Sequence, residues 1–177
     1  MSTLVKNIIR FILLILVQFF VLDKVHLSYM ATPYIYILFI LWMPFKFSRI
    51  FQMVLAFLLG FTLDSFHHNP GFHAAACVLI GYIRPFLINI LVPHEGAESN
   101  YEEPSLKSLG GFMPYLVYAG VLTFLHNSWL FLLEALQFGN VWEFIVKTCF
   151  STLISLVLII ITELLFSRKQ QFRTNTV

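Results

Sequence analysis

Charge is the scarcest property of this 177-residue chain: Lys, Arg, Asp and Glu make up 11% of it, against about 25% in a typical soluble domain. A chain of this size with so few charged side chains cannot coat a water-facing surface. No stretch stands apart in composition as a second folded unit, so one membrane domain over residues 1–177 is expected. The net charge is only +2. No basic cluster interleaved with aromatics is present, which argues against nucleic acid as a partner. Cysteine is limited to Cys77 and Cys149, both inside apolar runs and without CxxC spacing. Both read as small buried residues rather than as ligands or disulfide partners. Also missing are a Gly-rich phosphate loop, a GxSxG elbow, a helical HxxxH or HExxH pair, and two carboxylates sharing a face at membrane depth. No enzymatic activity, metal or cofactor is therefore expected.

What the chain has is hydrocarbon. Its hydrophobic share is 59%, its mean hydropathy is +0.83, and 20 of its residues are Phe. A spanning helix needs about 20 mainly apolar residues. Read on that length, the sequence predicts an all-α, polytopic membrane bundle of about six helices, over 7–22, 27–45, 50–66, 72–92, 112–133 and 141–166. Pro33 and Pro44 sit in the second of these, so its first turn is expected to bend or unwind. Lys and Arg in short loops set the orientation. With the N-terminus in the cytoplasm, the inner segments hold Lys6, Arg10, Lys46, Arg49, Lys107, Arg168, Lys169 and Arg173, and the outer ones only Lys24 and Lys147. Both termini are thus expected inside. The longest polar stretch, 93–111, becomes a cytoplasmic loop carrying Glu95, Glu98, Glu102 and Glu103. It reads as a solvated linker or as a contact surface for a cytoplasmic partner.

In so apolar a chain, polar groups at membrane depth are the informative ones, because each is costly unless paired or hydrated. Ala56, Gly60 and Asp64 are four apart and share a helix face. Asn69-Pro70-Gly71 signals a turn. Beyond it, Ala74, Cys77, Gly81 and Arg84 form a second small-residue face. Small residues at that spacing let backbones approach, so the two faces are expected to pack on each other or on neighbouring helices. His67, His68 and His73 lie near Asp64 but point in different directions, which disfavours a metal site. Arg84 is expected either to snorkel to the headgroups or to meet an internal partner, with Glu163 at similar depth. His126, Leu130 and Glu134 share a face of the fifth span. Thr148, Ser151, Thr152 and Ser155 form a polar stripe on the sixth, suited to interhelical hydrogen bonds.

The stretch Leu58-Leu59-Gly60-Phe61-Thr62-Leu63-Asp64-Ser65-Phe66, followed by Pro70-Gly71-Phe72-His73-Ala74-Ala75-Ala76, resembles the rod shape-determining protein MreD family, in the version of the Bacteroidetes branch. Ala31-Thr32-Pro33-Tyr34-Ile35-Tyr36, Arg84-Pro85 and the His126–Glu134 face add to the likeness. It extends over the whole length and span layout, although each motif is short. The resemblance implies a non-enzymatic inner-membrane component of the cell-elongation machinery that scaffolds peptidoglycan synthesis. It implies association with an MreC-like membrane protein, and through it with MreB-like filaments, RodA and a penicillin-binding protein. It also implies a fold like that of the substrate-binding subunits of energy-coupling vitamin transporters. No catalytic residues come with it. Gly60, Asp64, Pro70, Gly71, Arg84, His126 and Glu134 remain as motif or partner-binding candidates. The alternative function, a substrate-binding subunit of a small-molecule transporter, predicts a polar-lined cavity on the outer side, walled by the first, third and sixth helices or near Asp64.

Overall fold

The structure, a computed structural model, describes residues 3–24, 32–68, 71–91, 103–138 and 141–173. Those residues form helices and their connections, with no strand among them. In chain order they are α1 (Thr3–Phe20), a 3-10 turn (Leu22–Lys24), α2 (Ile37–Leu41), α3 (Arg49–His67), α4 (Phe72–Leu91), α5 (Phe112–Phe138) and α6 (Val141–Arg173). Five helical stretches are long and apolar enough to cross a membrane: Val5–Lys24, Arg49–His67, Phe72–Leu91, Phe112–Leu136 and Val141–Phe166. Their outward faces carry Ile12, Leu13 and Leu16 on α1 and Phe150, Leu153, Val157 and Ile161 on α6, all exposed. Water would penalise such faces, whereas hydrocarbon accepts them.

The segment expected as the second span takes another form. Residues 25–31 lie outside the described residues. From Thr32 to Ile35 the chain is not helical, and only the five residues of α2 follow as helix. Proline explains the interruption: Pro33 offers no backbone N–H and disfavours helix in the residue before it. The segment nevertheless crosses the bundle. Along α6, the Thr32 and Tyr34 N–H groups donate to the hydroxyls of Ser151 (3.0 Å) and Ser155 (2.8 Å), while the Trp42 indole donates to Glu163 (2.8 Å). Ser151 to Glu163 is a rise of ~18 Å on a helix. Along α1 the order reverses: Gln18 meets Pro33 and Ile35, Phe11 packs edge-on to Phe39, and the Arg10 guanidinium lies over Trp42. The segment therefore runs antiparallel to α1 and parallel to α6. It passes through the middle of the molecule, with Tyr36, Ile37, Leu38, Ile40 and Leu41 at 0% exposure. Irregular backbone at membrane depth is tolerated only where protein surrounds it in this way.

The α3–α4 hairpin is built on backbone contact. Ser48 caps α3 by accepting from the Phe51 N–H, and His68, at φ 55°, ends it. Gly71 takes φ +98° before α4 begins, a region that glycine occupies without strain. Asn69 and Pro70 of the turn lie outside the described residues. Of the two arrangements their spacing allows, the small-residue faces pack on each other. A Cβ at Gly60 would stand 2.5 Å from the Ala74 Cα, and one at Gly81 would stand 3.1 Å from the Ala56 Cβ.

The remaining elements close the bundle. The helices α5 and α6 extend past the predicted limits of 133 and 166, to Phe138 and Arg173. Of the polar loop, Glu95, Glu98 and Glu102 lie outside the described residues. Its last part folds against the bundle, with Ser108 and Leu109 buried, and Glu103 receives Lys6 (3.0 Å) and Arg10 (2.7 Å). That joins the loop to the N-terminal end of α1. Of the two cysteines, Cys77 is buried as expected but Cys149 is exposed. It sits beside Phe150 on the outward side of α6, while Ser151 faces in.

Candidate functional site

Buried polar groups gather at two levels, separated by an apolar layer. At the level where α3 turns into α4, both Asp64 carboxylate oxygens accept from the first backbone N–H groups of α4, His73 at 3.0 Å and Ala74 at 2.8 Å. This satisfies two of the donors that every helix start leaves over, and places a negative charge at the positive end of the helix dipole. Gly60, one turn back, permits it by letting the two backbones touch. Asp64 is thus a capping residue with both oxygens occupied.

Next to it lies a histidine–tyrosine chain. The Tyr36 hydroxyl sits between His73 Nδ1 (2.8 Å) and His126 Nε2 (2.9 Å). On its other side, His126 Nδ1 faces the Asn127 side-chain oxygen (3.1 Å), and the Asn127 amide donates to the Thr152 hydroxyl (3.1 Å). With that amide orientation the proton directions follow from the inventory of donors. His126 Nδ1–H donates to Asn127, Tyr36 O–H donates to His126 Nε2, and His73 Nδ1–H donates to Tyr36. Tyr36, His73, His126 and Asn127 are all buried. His67 turns elsewhere, to Asp23 at 2.8 Å, and Asp23 in turn receives the Gln18 amide at 2.7 Å. His67 and His73 thus bond separate partners. Among the described residues no group of three His, Cys, Asp or Glu side chains is placed to hold a metal ion.

At the opposite level stands Arg84, fully buried at 0% exposure, so it does not snorkel. Its internal partners are not Glu163. Nε donates to Tyr118 (2.9 Å), one terminal nitrogen to Gln52 (2.7 Å), and the other to the Met43 carbonyl. Tyr118 itself donates to the Leu41 carbonyl at 2.9 Å. The arginine thereby grips the α2 end of the threaded segment through its backbone. Glu163 holds the same end from α6, accepting from Trp42, from Tyr115 (3.3 Å) and from the Leu106 N–H (3.2 Å).

The face His126–Leu130–Glu134 is split by the structure. His126 and Leu130 are buried, whereas Glu134 pairs with Lys147 (3.1 Å) near the α5–α6 turn, in a partly exposed bridge. The stripe on α6 is divided too. Thr152 makes the interhelical bond to α5, Ser151 and Ser155 receive the threaded segment, and the buried Thr148 hydroxyl finds no partner among the described residues. Of the seven candidates, Gly60 and Asp64 act together, Arg84 and His126 belong to opposite levels, Glu134 stands apart, Gly71 makes the turn, and Pro70 is outside the described residues. Gln18, Tyr36, Gln52, Trp42 and Tyr118 were not singled out from the sequence. Gln18 and Gln52 carried a usable signal, as amides inside otherwise apolar helices.

Fold and polar core together define a multi-pass helical membrane bundle whose centre is filled by its own chain. No family model, no curated protein and no solved structure matches it.

Proposed function

We propose that the chain is a non-enzymatic inner-membrane component of the bacterial cell-elongation machinery, acting as a scaffold for peptidoglycan synthesis. This is the function that its resemblance to the MreD family implies. Its partners are then an MreC-like membrane protein and, through it, MreB-like filaments, RodA and a penicillin-binding protein. The observation that carries the reading is the threaded segment: Tyr36 to Leu41 occupy the centre of the bundle, Gln18, Ser155 and Arg84 bond the backbone of that segment, and Asp64 holds a helix start. The surface left for recognition is the outward helix faces and the loop end. The end bearing Lys6, Arg10, Lys46 and Arg49 faces the cytoplasm by the bias of positive charge, with both termini on that side.

The test is depletion in the host. Rod-shaped cells should round up, and retention of a tagged full-length chain on an MreC-like partner should be measurable in detergent. Normal shape with a new nutrient requirement would overturn the proposal in favour of a transporter substrate-binding subunit. That second reading has less support, because the centre of the bundle is taken by Tyr36, Ile37, Leu38, Ile40 and Leu41, all buried.

A further inference from the structure

An open groove of about 690 Å³ runs down the outside of α3 and α4. Phe57 and Phe61, stacked at 5.7 Å, form one wall, Trp129 of α5 forms the other, and Ala75, Val78 and Tyr82 line α4. Its α4 side extends from Gly71 to Tyr82, a rise of ~16 Å, which is about half of a ~30 Å hydrocarbon core, or one leaflet. Its lining is apolar over that length, from Met53, Phe57 and Phe61 of α3 to Val78 and Leu79 of α4. A hydrocarbon chain fits it.

The groove has a charged end. With α3 and α4 antiparallel and Gly60 against Ala74, Arg49 lies level with Phe86, just past Tyr82. Its guanidinium stands 4.3 Å over Phe86 and 5.8 Å over Tyr82. Arg49 and nearby Lys46 are both exposed. Among the described residues neither pairs with a carboxylate, unlike Lys6 and Arg10. A cation pinned on an aromatic edge at the mouth of an apolar, leaflet-long groove complements a lipid whose phosphate is not neutralised within its own headgroup.

We propose that this groove binds one anionic phospholipid, with an acyl chain along Phe57, Phe61 and Trp129 and its headgroup phosphate on Arg49 and Lys46. The site does not depend on which proteins the bundle assembles with.

The experiment exchanges the purified full-length chain into bilayers of equal phosphatidylglycerol and phosphatidylcholine, and counts the lipids retained by native mass spectrometry. One phosphatidylglycerol should remain per chain. Each basic residue near a membrane surface favours an anionic lipid about five-fold, so Arg49→Gln should reduce the preference over phosphatidylcholine by about that factor. Ala75→Trp, which fills the groove from an exposed position, should abolish retention of either lipid while leaving the melting temperature near that of the parent. If Ala75→Trp does not fold, Val78→Phe takes its place with the same expectation. Equal retention of the two lipids by the parent overturns the proposal, as does an unchanged preference in Arg49→Gln. Loss of a co-purifying membrane protein from Ala75→Trp with an unchanged lipid count would assign the groove to a partner chain instead, and also overturns it.

Discussion

The contact face of the α3–α4 hairpin and the threaded segment of residues 32–43 are both buried, yet they are held by different means. The hairpin is held chiefly by shape: Gly60 meets the Ala74 backbone and Gly81 meets Ala56, with polar support from Asp64 at the start of α4 and from the Arg84–Gln52 bond at the other end. The segment is held by side chains that bond its backbone. Ser151, Ser155 and Gln18 take the amides of Thr32, Tyr34 and Ile35, and Arg84 and Tyr118 take the Met43 and Leu41 carbonyls. The difference follows from what each backbone can do alone. A helix satisfies its own N–H and C=O groups, so it needs only close packing. A non-helical stretch in hydrocarbon must have every polar group met from outside.

That contrast can be broken by substitution. The largest effect belongs to Gly60→Leu. Overpacking usually costs about 1–3 kcal/mol, and here the obstacle is backbone, which cannot rotate away. The chain should therefore lose its monodisperse peak in size-exclusion chromatography of a fluorescent fusion. A folded Gly60→Leu chain would mean that the hairpin is not held by contact. Next comes Arg84→Leu, which leaves the Met43 carbonyl and the Gln52 side-chain oxygen without their donor. At about 1–3 kcal/mol for each unsatisfied group, the melting temperature in detergent should fall steeply, while Arg84→Lys should recover part of the loss. Gln18→Leu removes the bonds to the Pro33 carbonyl and the Ile35 N–H. A loss of about 2 kcal/mol is expected on the same basis, read by the same melt. It should also loosen residues 33–35 before it affects α3 or α4. Glu134→Gln should do least. Its bridge to Lys147 is partly exposed, and such pairs contribute below about 1 kcal/mol. Raising the salt concentration should shrink the difference further.

The same contrast explains what was legible in the sequence. Helix α3, helix α4 and their packing faces follow from local spacing, four residues between Ala56, Gly60 and Asp64, because a helix repeats on that scale. The existence and approximate position of α1, α5 and α6 follow from runs of apolar residues, although α5 and α6 run on past the ends those runs predict. The threaded segment could not be read that way. Its composition is that of a spanning helix, and Pro33 marks a bend without saying how far the helix unwinds. The groups that make an extended path affordable are Gln18 on α1, Ser151 and Ser155 on α6, and Arg84 on α4. They lie far away in the chain, and no local period links them to residues 32–43. For the same reason Arg84 read as a snorkelling side chain or a mate for Glu163: its depth was visible, but its carbonyl partner required the segment to be in place. The Tyr36–His73–His126 chain is drawn from three elements and was equally invisible.

The threaded segment is either permanent core or a gate that makes room for a ligand. Amide hydrogen exchange on the full-length chain in nanodiscs tests this most directly. If the segment is core, the amides of Tyr34, Ile35 and Phe39 to Trp42 exchange as slowly as those in the middle of α3 and α4. If they exchange like a surface loop while α3 and α4 stay protected, the centre of the bundle opens, and the scaffold reading gives way to one in which something enters it.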